Sequence, residues 1–270
     1  KNAGTAITTG KKATLIGAEA GEALVDGDNN TAVGYQALTS DTNGEKSVAI
    51  GTFALTAQNQ SSLTDTHNTA VGYQAGTSVT TGTSNTFIGA RNGDAVTTGV
   101  SNVAVGDEAL GSETTANRSV AVGVGALLNQ NVGGGTNAYN VAIGHAAGNQ
   151  ITTGVENTIV GALAGDALTT GEMTALGFRA GSSQTTAVGN VLVGSLAGDQ
   201  ITTGGNNTAM GSQALANNQT STENTAIGHD ALRYLTTGSE NVAIGSEAGD
   251  NLTVGRQNVA VGNQALSGDG

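Results

Sequence analysis

Cysteine, proline and tryptophan are all missing from the 270-residue sequence, and aromatic residues make up only 3% of it. Without cysteine there is no disulfide, no thiol nucleophile and no thiolate metal site. Without tryptophan, and with only four Tyr and three Phe, the side chains that dominate an ordinary globular core are nearly absent. Charged residues are scarce at 11%, too few for a disordered polyelectrolyte. Cations are the scarcest: nine Lys and Arg face 21 Asp and Glu, for a net charge of −12 and a pI of about 4.4. An acidic surface of this kind disfavours nucleic acid and anionic membranes. No apolar run reaches the length of a membrane span, so no membrane insertion is expected. No secretory leader is legible at the start. Lys1 and Gly270 both fall in mid-pattern, which leads to the expectation of a segment cut from a longer chain.

In place of the missing types stand 43 glycines and an abundance of Ala, Val, Ile, Thr and Asn, residues of strands and tight turns. They are ordered by a repeat, N-[T/V]-A-[V/I]-G-x-x-A. With its Gly as position zero, the copies fall at Gly17, Gly34, Gly51, Gly72, Gly89, Gly106, Gly123, Gly144, Gly161, Gly177, Gly194, Gly211, Gly228, Gly245 and Gly262. Eleven of the fourteen intervals are 17 residues, two are 21 and one, Gly161 to Gly177, is 16. Eleven copies carry Asn at −4, fourteen carry Ala at +3, and ten carry a second Gly at +10, often as Thr-Thr-Gly.

A 17-residue unit is too short for a helix pair or a propeller blade. It fits one coil of a parallel β-solenoid, with strands stacked about 4.8 Å apart and a rod of roughly 70 Å for fifteen coils. Side chains at −3 and −1 share one face of the strand. Position −1 is Val, Ile, Leu or Met in every copy, so that face is expected to point into the core. The opposite face, mostly Ala at −2 with Leu15, Ile159 and Leu192 among its replacements, is then expected to lie against another subunit. The glycines at 0 and +10 are expected to supply the positive φ of sharp corners.

Positions +4 and +7 vary together. Gly at +4 goes with an apolar +7, as in Gly21/Leu24, Gly76/Val79 and Gly148/Ile151. Leu at +4 goes with a polar +7, as in Leu38/Asp41, Leu55/Gln58, Leu110/Glu113, Leu127/Gln130 and Leu266/Asp269. Gly181/Gln184 and Leu232/Leu235 break the rule. One large aliphatic per coil, entering from either position, is expected to fill one interior space. The two long copies are expected to place their extra residues in surface loops near 59–65 and 129–137.

A coil offers only three or four aliphatic side chains, too thin a core to offset its own ordering entropy. A closed ring of identical solenoids answers that need. Ser47-Val48-Ala49-Ile50-Gly51 and Ser119-Val120-Ala121-Val122-Gly123 resemble the core motif of trimeric autotransporter adhesin heads, whose repeats are shorter. The longer form, Asn68-Thr69-Ala70-Val71-Gly72-Tyr73-Gln74-Ala75 followed by Thr-Thr-Gly, is similar to repeat arrays in phage tail-fibre proteins. The resemblance spans nearly the whole chain. It implies a left-handed parallel β-roll and a homotrimer, against the usual right-handed crossover rule. It also implies a place outside the cell, on a virion tail fibre or a bacterial surface, with a cell-surface receptor (glycan or protein) as the further class of partner.

Chemistry-bearing clusters are not legible. His67, His145 and His229 sit at different repeat positions, and none has a partner at triad or metal spacing. Asp26-Gly27-Asp28-Asn29-Asn30 opens like a calcium loop but lacks the Gly at the sixth place and the Glu at the twelfth. Asp94, Asp166, Asp199 and Asp250 share position +5, mostly in non-adjacent coils. No phosphate-binding glycine motif occurs. Tyr35, Tyr73, Tyr139 and Tyr234 are too few for a sugar-stacking platform; the two at +1 read as rim contacts. The Thr-Thr pairs resemble the arrays of ice-binding solenoids, but Thr42-Asn43, Asn59-Gln60 and Thr253-Val254 interrupt the column. Catalytic, cofactor and metal sites are therefore all expected to be absent, and the chain is not expected to be an enzyme.

The expectation is an all-β, parallel β-solenoid of about fifteen 17-residue repeats, one continuous array over 1–270. Its expected role is that of a structural segment of a trimeric tail fibre that extends or presents a host-attachment tip. The alternative is the head or stalk of a bacterial trimeric surface adhesin.

Overall fold

Each repeat motif folds as a three-residue strand followed by a corner in the computed structural model, which describes residues 2–268. Lys1, Asp269 and Gly270 lie outside the described residues, and with them the polar half of the Leu266/Asp269 pair. The chain falls into two compact units, Lys1–Tyr139 and Asn140–Gly270.

The first unit contains β1 (Thr14–Ile16), β2 (Thr31–Val33), β3 (Gly44–Glu45), β4 (Val48–Ile50), β5 (Thr64–Asp65), β6 (Thr69–Val71), β7 (Thr86–Ile88), β8 (Val103–Val105) and β9 (Val120–Val122). Strands β1, β2, β4, β6, β7, β8 and β9 stack in that order, all parallel, with equivalent residues in register, as in Ala32↔Ala49 and Ala104↔Ala121. Strands β3 and β5 form a small second ladder at the first long coil. The second unit stacks β10 (Val141–Ile143), β11 (Thr158–Val160), β12 (Glu172–Leu176), β13 (Val188–Val193), β14 (Thr208–Met210), β15 (Thr225–Ile227), β16 (Val242–Ile244) and β17 (Val259–Val261) in the same way. No helix occurs among the described residues. The chain is an all-β parallel solenoid of about fifteen turns. The 16-residue interval is absorbed as a bulge, where Glu172 and Met173 face Val188 and Asn190.

The strand faces are the reverse of the sequence expectation. Ala at −2 points inward and is fully buried from Ala32 to Ala243, whereas −3 and −1 point outward. The interior explains the choice of residue. Coil walls lie too close for a second row of Val and Ile, so alanine fills −2 and +3, and one larger residue per coil fills the rest. Where −2 is enlarged, to Phe87, Ile159 or Leu192, the +4 positions beside it are glycine: a Cβ on Gly76 would lie 2.7 Å from the Phe87 ring.

Leu38 and Leu24 are both fully buried, so +4 and +7 do enter one interior. Position +7 points inward even when it is polar: Asp41, Gln58, Glu113, Gln130 and Asn218 are fully buried too. Four of them pair with each other across the coils, and Asn218 Oδ1 accepts the Ser221 amide at 3.1 Å. Gln58 Nε2 donates to Asp41 Oδ2 at 2.6 Å, and Gln130 Nε2 donates to Glu113 Oε2 at 3.0 Å.

Asparagine at −4 fastens each coil to the next. Asn85 Oδ1 accepts the amide of Asn102 at 3.0 Å, and Asn85 Nδ2 donates to the Gly99 carbonyl at 2.9 Å. Asn68, Asn102, Asn190, Asn207, Asn224 and Asn241 repeat both bonds. Every one of these is buried, where an unpaired backbone group is costly. At the start of each long coil the Asn is a serine, Ser47 or Ser119, and Gln58 or Gln130 reaches across the coil to its hydroxyl. The set acid, serine, glutamine (Asp41, Ser47, Gln58 and Glu113, Ser119, Gln130) thus occurs twice, 72 residues apart.

The corners need left-handed backbone at three places per coil, and non-glycine residues supply most of it. In one coil Gln36 has φ 53°, Leu38 54° and Lys46 61°. The zero-position glycines are different, with φ between 126° and 145°. The +10 glycines, such as Gly82 and Gly99, have no positive φ in the regular coils. Their reason is proximity: a Cβ on Gly82 would lie 2.5 Å from the Gly99 carbonyl oxygen.

Candidate interaction surface

The outward positions −3 and −1 form two parallel rows on the strand face of each unit. The −3 row is Thr or Val throughout and the −1 row is Ile, Val, Leu or Met throughout. None of these thirty positions is charged, although 11% of the chain is. Ile50, Ile88, Ile143, Leu176, Met210 and Ile244 are 38 to 47% exposed, with the shorter Val residues between them half-buried. An in-register sheet face of Thr, Val and Ile with no charge on it is a candidate association surface, because monomers rarely leave a large contiguous patch of this kind in water.

Aromatic residues gather where the sequence did not suggest it. Tyr35, Phe53 and Tyr73, from three successive coils, form an edge-to-face ladder with ring centroids 5.4 and 6.3 Å apart. Both tyrosines are exposed. Tyr139 instead lies under the Arg118 guanidinium, 5.7 Å from the ring centroid, and its hydroxyl accepts from Arg118 at 2.7 Å. Tyr234 carries Arg233 in the same fashion at 5.2 Å.

The long coils place their extra residues on the surface: Ser61, Ser62 and Leu63 are exposed, as are Gly134, Gly135, Thr136 and Asn137. Their bases are fixed by the buried acids. Asp41 Oδ1 accepts the amides of Gly44 at 3.0 Å and Gln60 at 3.4 Å. Glu113 accepts the amides of Thr114, Thr115 and Ala116 with one oxygen and that of Val132 with the other. Burial pushes the Asp41 carboxyl above its usual value, against the pull of those hydrogen bonds. A raised folded value means that Asp41 favours the fold most at acid pH, and that its contribution is lost as pH rises through that value.

The singled-out residues do not converge on a centre. His67 and His145 are exposed in separate coils, and His229 Nδ1 sits 3.4 Å from Asp230. Asp26 accepts hydrogen bonds from Thr8 and Thr9, and Asp28 accepts one from the Lys11 amide, so both carboxylates tie coil to coil. Among the described residues no group of three His, Asp or Glu is placed to hold a metal ion, and no helix is long and apolar enough to cross a membrane. At +5, Asp94 and Asp166 are pushed upward by burial, whereas Asp199 accepts from Ser182 at 2.6 Å and pairs with Arg179 at 3.3 Å. The first hydroxyl of the Thr-Thr pairs is engaged with the next coil: Thr80, Thr97, Thr152, Thr169, Thr202 and Thr236 each donate to a carbonyl there. That is a structural reason for threonine in this column. No protein-family model matches the chain, and no curated protein matches it in sequence.

Proposed function

We propose that this solenoid is a structural segment of a trimeric tail fibre, in which copies of the chain associate through the outward Val/Ile face of their strands to extend or present a host-attachment tip. The observation that carries this reading is the uncharged face at −3 and −1, a row of Thr and Val beside a row of Ile, Val, Leu and Met. The partner it calls for is a second solenoid of the same register, since a regular row is best covered by another regular row. Each Val or Ile removed from water contributes on the order of 1 kcal/mol, and the row repeats in every coil. The number three rests on the resemblance to adhesin heads and tail-fibre arrays. The same face would serve the head or stalk of a bacterial surface adhesin.

Lysine placed in the row tests the association. With Ile88→Lys and Val105→Lys together, the solution mass is expected to fall to that of one chain while the β-type circular dichroism persists. Both side chains project outward, so neither substitution buries a charge within the coil. An unchanged mass would remove the strand face from the assembly.

A further inference from the structure

We propose that a groove on the +2 to +6 side of three successive coils in the second unit binds a neutral saccharide. The groove has a volume of about 470 Å³ and is lined by Ala146, Gln150, Leu163, Asp166, Arg179 and Ser183, among others. That volume lies within the usual range for small-molecule sites. None of the lining residues occupies −3 or −1, so the strand face and the groove are separate surfaces.

The hollow has a sequence cause. In several other coils cross-coil polar pairs occupy the +2 column, as in Gln36 with Glu19 at 2.6 Å, Arg91 with Glu108 at 3.1 Å and Gln264 with Glu247 at 2.8 Å. Here the column is broken by Ala146, which leaves space over the corner, and by Leu163, which gives an apolar floor. Around that floor stand a carboxylate, a guanidinium, an amide and a hydroxyl. A sugar hydroxyl both donates and accepts, and a pyranose also offers an apolar face, so the combination suits a polyhydroxylated ring. Asp166 is the acceptor: burial raises its carboxyl, which marks it as partly stripped of water. Arg179 is the donor, and one of its nitrogens is already held by Asp199 at 3.3 Å. With Asp166 and Asp199 flanking a single cation on a chain of net charge −12, an anionic sugar is disfavoured.

The test is saturation-transfer NMR on the full segment, with methyl α-glucoside, methyl β-galactoside and N-acetylglucosamine as neutral probes and N-acetylneuraminic acid as the anionic one. At least one neutral probe is expected to bind at roughly millimolar concentration, as a shallow groove allows. Asp166→Ala and Ala146→Gln are each expected to weaken that binding about tenfold or more. Ala146→Gln leaves the fold intact, because Gln36, Gln74, Gln213 and Gln264 occupy the same position with φ of 53 to 58° against 52° for Ala146. The proposal is overturned if no neutral probe gives transfer, if only the anionic probe does, or if Ala146→Gln binds as the wild type does.

Discussion

Gly106→Ala is expected to destabilise the first unit by about 3 kcal/mol or more, the cost of forcing a side chain into a backbone region that is essentially reserved for glycine. Two effects act together. Gly106 has φ 133°, and a Cβ there would lie 2.6 Å from the Gly123 carbonyl oxygen and 2.7 Å from its carbon. Both contact atoms are backbone of the next coil, so relief requires the coils to separate and the strand ladder to open. Gly134→Ala is the control. Its φ is 63° and the nearest atom to its Cβ is Thr136 Oγ1 at 3.8 Å, so only the left-handed cost of about 1 kcal/mol remains. Urea unfolding of both variants should show the large shift for the first alone. Similar small shifts for both would mean that the zero-position glycine is not a packing requirement.

Asn102→Leu is expected to cost about 2–5 kcal/mol, because it leaves two buried backbone groups without partners. Asn102 Oδ1 accepts the Ser119 amide at 3.0 Å, and its Nδ2 donates to the Ala116 carbonyl at 2.9 Å. Asn102→Asp keeps the acceptor but sets a carboxylate oxygen against that carbonyl. The neutral acid can donate where the carboxylate cannot, so its folded pKa is expected to be raised. Stability should then be lowest near neutrality and recover as pH falls through the folded value. Thermal melts of both variants at two pH values check this. A leucine variant as stable as the wild type would reduce the asparagine ladder to a preference for turns.

Architecture was legible because periodicity survives without knowledge of contacts. The glycine spacing fixed one strand and one corner per copy, and the in-register pairing Thr69↔Thr86 and Ala70↔Phe87 follows from it. Which face of the strand looks inward was not legible. Alternation shows only that −3 and −1 lie opposite −2, and the usual rule that the larger aliphatic goes inside fails in a coil so narrow that alanine is the residue that fits. The available signal was that −2 is Ala in most copies and apolar in the rest, since an exposed position tolerates polar residues. Phe87, fully buried where most copies have Ala, shows what enlargement demands: glycine at both Gly76 and Gly93.

The asparagine ladder had a signal too, in its eleven copies, but its role depends on a carbonyl fourteen residues ahead. No local pattern reveals that distance. The same holds for the acids at +7. Asp41 and Glu113 show in the sequence only as polar residues at +7, and their burial is explained once Gln58 and Gln130 are seen on the next coil. The candidate surface was not legible, because −3 and −1 were expected in the core and −2 on the outside, and the structure has them the other way round. The aromatic ladder of Tyr35, Phe53 and Tyr73 was hidden because it spans different repeat positions, +1 and +2.

We propose that the exposed strand face is covered by other copies of the chain. Light scattering of the wild-type segment across a range of concentrations tests it most directly. A mass three times the 26.3 kDa of one chain, independent of dilution until the assembly dissociates, is expected. A monodisperse monomer at every concentration would contradict it, and would mean that the aliphatic face is stable in water.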